Sequence, residues 1–274
     1  MKQSLFKRLL HGAVVPLGAL VLWQLFSALG WINPQILPSP VAVTVKWFQY
    51  LAPLEPYAPD GGSYLAWLVS GELPHDAYAS LSRVIGGFLL GAGLALPLGL
   101  LMGANQTIYK LFDPLIQVLR PIPPIAYIPL AILWFGLGNP PAFFLISIGS
   151  FFPVLMNTIA GVRQVDGIYL RAARNLGANQ MTMFRRVILP AATPYILAGA
   201  RIGMGTAFIV VIVAEMIAVN NGLGFRILEA REYFWSDKII AGMFTIGFFG
   251  LAIDIAMNAL NNHLLKWHRG LDHN

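Results

Sequence analysis

Cysteine is absent from the 274 residues, so neither a disulfide framework nor a thiolate metal site is available. The five histidines (His11, His75, His263, His268 and His273) are scattered without ligand spacing, which removes the usual nitrogen donors as well. No lysine follows a glycine, so the G-x-x-x-x-G-K-[ST] loop that cradles nucleotide phosphates is missing. No motif pairs a nucleophile with a base, which leaves an enzyme reading without a catalytic constellation. Charge is scarce too. Only 11% of residues are Asp, Glu, Lys or Arg, against roughly 25% in soluble globular domains. With 57% of residues hydrophobic, most of the surface must face lipid. The net charge of +6 does not point to nucleic acid, because the basic residues lie between apolar blocks rather than in a patch interleaved with aromatics.

What is present is a series of apolar stretches. A spanning helix needs about 20 mainly apolar residues to cross about 30 Å. Six segments meet that length, over Gly12 to Trp31, Ser80 to Gly103, Phe112 to Phe135, Ala142 to Val162, Tyr195 to Val219 and Ile239 to Leu264. The predicted fold class is therefore all-α and integral to the membrane, with six transmembrane helices. Lys2, Lys7 and Arg8 before the first stretch also suit a cleaved signal peptide. That stretch is longer than a signal core and ends without a small-x-small cleavage site, so a retained helix is the expectation.

Charges between the segments alternate in sign balance. The N-terminus is basic, whereas the connection from Asn33 to Ala79 sets Lys46 against Glu55, Asp60, Glu72 and Asp76. The connection between the fourth and fifth segments carries Arg163, Arg171, Arg174, Arg185 and Arg186 against Asp166, and the tail adds Lys266 and Arg269. The positive-inside rule then places both termini and the arginine-rich connection in the cytoplasm. The expected organisation is an N-terminal span with its outer connection over 1–79, a core of spans over 80–264 that includes the inner loop 163–190, and a tail over 265–274. In the outer connection, Leu37-Pro38-Ser39-Pro40 leads into Val41, Val43, Val45, Trp47 and Phe48, which predicts a short interfacial helix; Pro53 to Gly62 is too rich in Pro and Gly to be regular.

In the inner loop, Val165, Tyr169, Ala172 and Leu176 recur at helical spacing. Gly177 interrupts, and a second short helix is expected from Asn179 to Ile188, ending at Pro190. The spaced set Arg171-Ala172-Ala173, Gly177 and Val187-Ile188-Leu189-Pro190 resembles the cytoplasmic signature of permeases in bacterial binding-protein-dependent ABC importers, with Arg171 where that signature has Glu. Further stretches carry the resemblance along the chain: Leu37 to Pro40, Arg120-Pro121-Ile122-Pro123-Pro124, Trp134 to Gly138, Ala214-Glu215-Met216-Ile217 and Gly222-Leu223-Gly224. They narrow it to the nitrate, sulfonate, taurine and bicarbonate group, with the look of the aliphatic sulfonate and taurine permeases.

The resemblance implies a type I importer permease in the bacterial inner membrane. Its inner loop would be a coupling helix that docks on an ATPase, with Arg171, Ala172, Ala173, Gly177, Val187, Leu189 and Pro190 as the coupling residues. It also implies a second permease copy, two ABC ATPase subunits that hold the ATP and Mg, an extracytoplasmic binding protein and a small anionic substrate, with no cofactor on this chain. The rival is a secondary anion transporter driven by an ion gradient through Arg120, Glu215 and Asp254.

Pro114, Pro121, Pro123, Pro124 and Pro129 predict a broken third span lining the pathway. Arg120, with Pro121, Pro123 and Pro124, is a candidate pathway site. Its charge is matched either by a passing anion or by a structural partner such as Glu215, Asp254 or a residue across the subunit interface. Glu215 is a gate or a capping group, and Asp254 a weaker site of the same kind. Arg83 and Arg201 are expected to snorkel to the inner surface. The pairs Gly87/Gly91, Gly99/Gly103 and Gly199/Gly203 predict close helix packing, within the bundle or at a dimer interface.

Overall fold

The computed structural model describes residues 5–56 and 63–265, and among these every regular element is helical. Lys2, Asp60, Lys266 and Arg269, and the tail beyond residue 265, lie outside the described residues. Among the described residues four helices are long and apolar enough to cross a membrane, and a bent pair makes a fifth span if it counts as one. Only 17% of the most apolar stretch of the last helix is buried within the chain, so the rest is left to lipid or another subunit. The first expected span, α1 (Leu5–Ala28), contains the shorter apolar stretch Val14–Ala28.

The chain divides into two compact units. One comprises residues 1–77 and 226–247, the other 78–225 and 248–274. In the first unit the short helix expected after Leu37-Pro38-Ser39-Pro40 forms as α2 (Pro40–Leu51). Ser39 caps it by accepting from the Ala42 amide at 3.1 Å, and Pro40 enters at a first-turn position where no donor is missed. A short helix α3 (Tyr64–Leu68) follows. Buried Asp76, near the start of α4 (Glu72–Ala104), accepts from the Tyr50 hydroxyl at 2.9 Å and from Arg226 Nε at 2.7 Å. Burial, then the neighbouring Asp76 carboxylate, push the Tyr50 phenol well above its ordinary range. Lys238 donates to Glu72 at 2.9 Å, and Trp47 Nε1 to Thr245 at 2.9 Å.

The second unit is organised around α7 (Asn139–Arg163). Residues 87, 91, 95, 99 and 103 of α4 recur every four positions and are Gly, Gly, Ala, Gly and Gly. A Cβ on Gly87 would lie 2.6 Å from Ile146, one on Gly99 2.8 Å from Thr158 and one on Gly103 2.5 Å from Val162. α10 (Leu189–Ala218) approaches α7 in the same manner: Cβ atoms on Gly199 and Gly203 would meet Asn157 at 2.6 Å and Val154 at 3.0 Å. All three glycine pairs thus serve contacts inside one chain, as bundle packing requires. Small residues let helix backbones close where lipid offers no hydrophobic drive for association. Gly91→Val is expected to cost about 3 kcal/mol or more, because its side chain would land on the Ser147 carbonyl and the Ser150 hydroxyl. Thermal unfolding in detergent should show it, with Gly93→Val, at a glycine with nothing within 4 Å, as the neutral control.

The third expected span breaks. Asn105 caps α5 (Gln106–Leu119) by accepting from the Thr107 and Ile108 amides, and the chain then turns at Arg120 to Pro123. A 3-10 turn over Pro124–Tyr127 leads into α6 (Ile128–Phe135), and the two halves are bent by 82°. Three prolines in four positions remove the donors that would continue the first helix. Pro190, in contrast, ends nothing. The stretch from α9 (Gln180–Met183) passes through a π turn at Phe184–Ile188 directly into α10, making one helix from Gln180 to Ala218. The wider turn, in which the Leu189 amide reaches the Phe184 carbonyl, precedes the proline and lets the helix continue through it. The remaining helices are α8 (Gly167–Asn175), α11 (Leu223–Glu232) and α12 (Ser236–Leu264).

Candidate functional site

Three features of the second unit carry the residues singled out in the sequence. The first is the loop between α7 and α10. Asp166 caps α8 by accepting from the Ile168 amide at 2.8 Å. The helix closes with the Ala178 amide on the Ala173 carbonyl at 3.0 Å and the Gly177 amide on the Arg174 carbonyl at 2.9 Å. This is a Schellman closure, which requires a left-handed residue at the position Gly177 occupies with φ +77°. Asn179 then caps α9.

Most of the apolar stripe anticipated along this loop points away from the chain. Tyr169 and Ala172 are exposed and Leu176 is 88% exposed, whereas Val165 is half-buried; Ile168, outside the stripe, is exposed as well. Arg171, Arg174, Arg185 and Arg186 are exposed beside it, whereas Val187, Leu189 and Pro190 are partly covered. A nine-residue helix without a buried residue owes little to its own chain.

The second feature is a buried polar hub. Glu215, fully buried on α10, accepts from Arg83 at 2.6 Å, from the Ser80 hydroxyl at 2.8 Å and from the Gly224 amide at 3.0 Å. Arg83 also donates to Asn139 at 2.8 Å and to the Asn221 carbonyl at 3.1 Å and its side-chain oxygen. One ion pair thus ties α4, the start of α7, the end of α10 and the 219–224 loop together. Gly222, at φ +108°, is held against the carboxylate where a Cβ would collide with it. Arg83 therefore does not snorkel: its guanidinium is buried and spent on these partners. Asp254 pairs instead with Arg201 through two bonds of 2.8 Å, with both side chains about half exposed.

The third feature is a cavity of about 360 Å³ lined by Tyr109, Asp113, Ile116, Gln117, Arg120, Pro121 and Met156. Arg120 sits at the end of α5, and among the described residues no ion pair or side-chain hydrogen bond engages it. Glu215 and Asp254 are each taken by another arginine, so neither serves as its structural counterion. Pro121 joins Arg120 on the cavity wall, while Pro123 and Pro124 form the break itself. Arg163 donates to Gln106 at 2.6 Å and lies 3.9 Å above the Tyr109 ring, fastening the start of α5 to the end of α7. The sequence reading missed Asp113 and the Arg83 partnership. The first was signalled by polar residues at 109, 113, 117 and 120, spaced along one face of an otherwise apolar segment; the second by Ser80 and Arg83 opening a span.

Among the described residues every element is helical and four to five spans are long and apolar enough to cross a membrane, the make-up of a multi-pass membrane protein. The chain belongs to the family of binding-protein-dependent transport system inner membrane components, which matches residues 95–269. It is 34% identical over 263 residues to a putative aliphatic sulfonates transport permease protein of Bacillus subtilis, covering 96% of this chain and 89% of that one. It is also 34% identical over 249 residues to a taurine transport system permease protein of Escherichia coli, covering 91% and 86% respectively. Among solved structures it matches the MetNI methionine ABC transporter in an inward-facing conformation with a TM-score of 0.61. That match covers 69% of this chain and 94% of the other at 18% identity, a likeness of fold.

Proposed function

We propose that the chain is the permease of an ATP-driven importer for small sulfonates, delivered by an extracytoplasmic binding protein, and that α8 with its Gly177 closure is the surface gripped by the ATPase. The carrying observation is the exposed apolar stripe Tyr169, Ala172 and Leu176, set among arginines on a helix that buries nothing of its own. Exposed apolar area on a basic loop has no use against water and fits a protein cleft. In this reading Arg171, Ala172, Ala173 and Gly177 meet the ATPase, while Val187, Leu189 and Pro190 transmit the push into α10. ATP and Mg are held by two partner ATPase subunits, two permease copies form the pathway, and both termini face the cytoplasm. The relatives' sulfonate and taurine substrates support the substrate class. A gradient-driven transporter is less favoured, because Arg120, Glu215 and Asp254 do not share one charge cluster.

Because the chain has no cysteine, Leu176→Cys provides a single reporter. Its labelling by a maleimide is expected to be fast in the permease alone and at least about tenfold slower with the ATPase bound. Equal labelling in both states would remove the docking surface. Uptake of a sulfonate into proteoliposomes should require both ATP and the binding protein. Uptake under an ion gradient with neither present would establish the gradient-driven rival.

A further inference from the structure

The cavity beside α5 carries two opposite charges that are matched by no counterion among the described residues. Asp113 and Arg120 both line it. Among the described residues neither has an oppositely charged partner within ion-pair distance; the Asp113 carboxylate accepts from the Gln117 amide at 2.7 Å and from the hydroxyl of Tyr109, which lines the same cavity. A charge at membrane depth costs several kcal/mol unless it is paired or faces water. The two residues are seven positions apart on one helix, so their backbones are separated by about 10 Å along the axis. Side chains on a helix lean toward its N-terminus, which carries the long Arg120 stem back toward Asp113 and shortens that gap. Ile116 and Met156 supply an apolar wall alongside.

We propose that this cavity is a passing subsite for a small zwitterion, an amino-sulfonate whose acidic group meets Arg120 and whose primary ammonium meets Asp113. The inference rests on the sulfonate reading above and narrows it. A ligand with both charges neutralises both walls at once, and its short carbon link lies against Ile116 and Met156. A monoanion would satisfy Arg120 yet face the Asp113 carboxylate as a like charge, which disfavours simple inorganic anions and amine-free sulfonates at this point of the pathway. Gln117 and Tyr109 hold the Asp113 carboxylate in place and are positioning residues.

The test uses the full complex of permease, ATPase and binding protein in proteoliposomes, supplied with labelled 2-aminoethanesulfonate and ethanesulfonate together. Uptake is normalised to assembled complex. Asp113→Asn is expected to lower amino-sulfonate uptake, and its ratio to ethanesulfonate uptake, by about tenfold or more; Asp113→Glu should recover most of it. Arg120→Gln should lower the uptake of both compounds. An unchanged amino-sulfonate uptake in Asp113→Asn overturns the subsite while the sulfonate reading stands, and so does an equal loss of both compounds. If the wild-type complex imports neither sulfonate, the reading itself fails and the subsite with it. Should Asp113→Asn not assemble, Asp113→Ser gives the same measurement with the same two outcomes.

Discussion

Replacing Glu215 with alanine is expected to destabilise the permease by about 3–5 kcal/mol, enough to abolish recovery of monodisperse protein from the membrane. The Arg83 side chain is only 4% exposed, and among the described residues Glu215 is its sole anionic partner. Removing the carboxylate leaves a buried guanidinium uncompensated, and it also leaves the Ser80 hydroxyl proton and the Gly224 amide without their acceptor. Each buried donor left unmade adds about 1–3 kcal/mol. Glu215→Gln keeps the shape and an acceptor, so its loss should be smaller. The paired change Arg83→Met with Glu215→Met should recover part of the single-mutant loss, because taking both charges away removes the unpaired ion. A double-mutant cycle on thermal unfolding in detergent measures this coupling. Additive effects of the two single changes would show that the hub is not one unit.

The membrane class and the helical architecture were legible because hydropathy reports directly on solvent. So was α2, whose Ser39-Pro40 start carries its own capping chemistry. The broken third span followed from clustered prolines, since a missing donor has the same local consequence in any context. The continuous helix through Pro190 was not legible: a proline signals a stop, and the π turn that absorbs it depends on the residues before it finding a wider hydrogen-bond register. Arg83 misled for a related reason. Its place near the end of a span suits snorkelling, and only the fold brings it to Glu215, 132 positions away. The glycine pairs announced close packing without naming a partner, because small-xxx-small spacing describes one surface and leaves open which helix will meet it. Asp113 was overlooked among apolar neighbours although its helical spacing to Gln117 and Arg120 was readable.

Gly177→Val is expected to reduce ATP-driven uptake by about tenfold or more while leaving the thermal stability of the spans within about 1–2 kcal/mol of wild type. The separation of the two effects is the point of the experiment. A Cβ at Gly177 finds nothing within 4 Å, so no clash with the bundle arises; the cost lies in the left-handed backbone at φ +77°, which a β-branched residue resists. Relieving that strain opens the closure made by the Ala178 and Gly177 amides and re-aims Leu176, the exposed apolar residue that follows α8. Stripe and arginines then no longer present one surface, and the ATPase should co-purify poorly. Gly177→Asn separates backbone from bulk, since asparagine tolerates the left-handed region, and it should retain most of the uptake. Leu176→Asp attacks the same surface without touching the backbone and should also lose the ATPase. If Gly177→Val keeps full ATPase binding and uptake, the loop is no more than a basic connection that sets orientation, and the force that drives the spans must enter elsewhere.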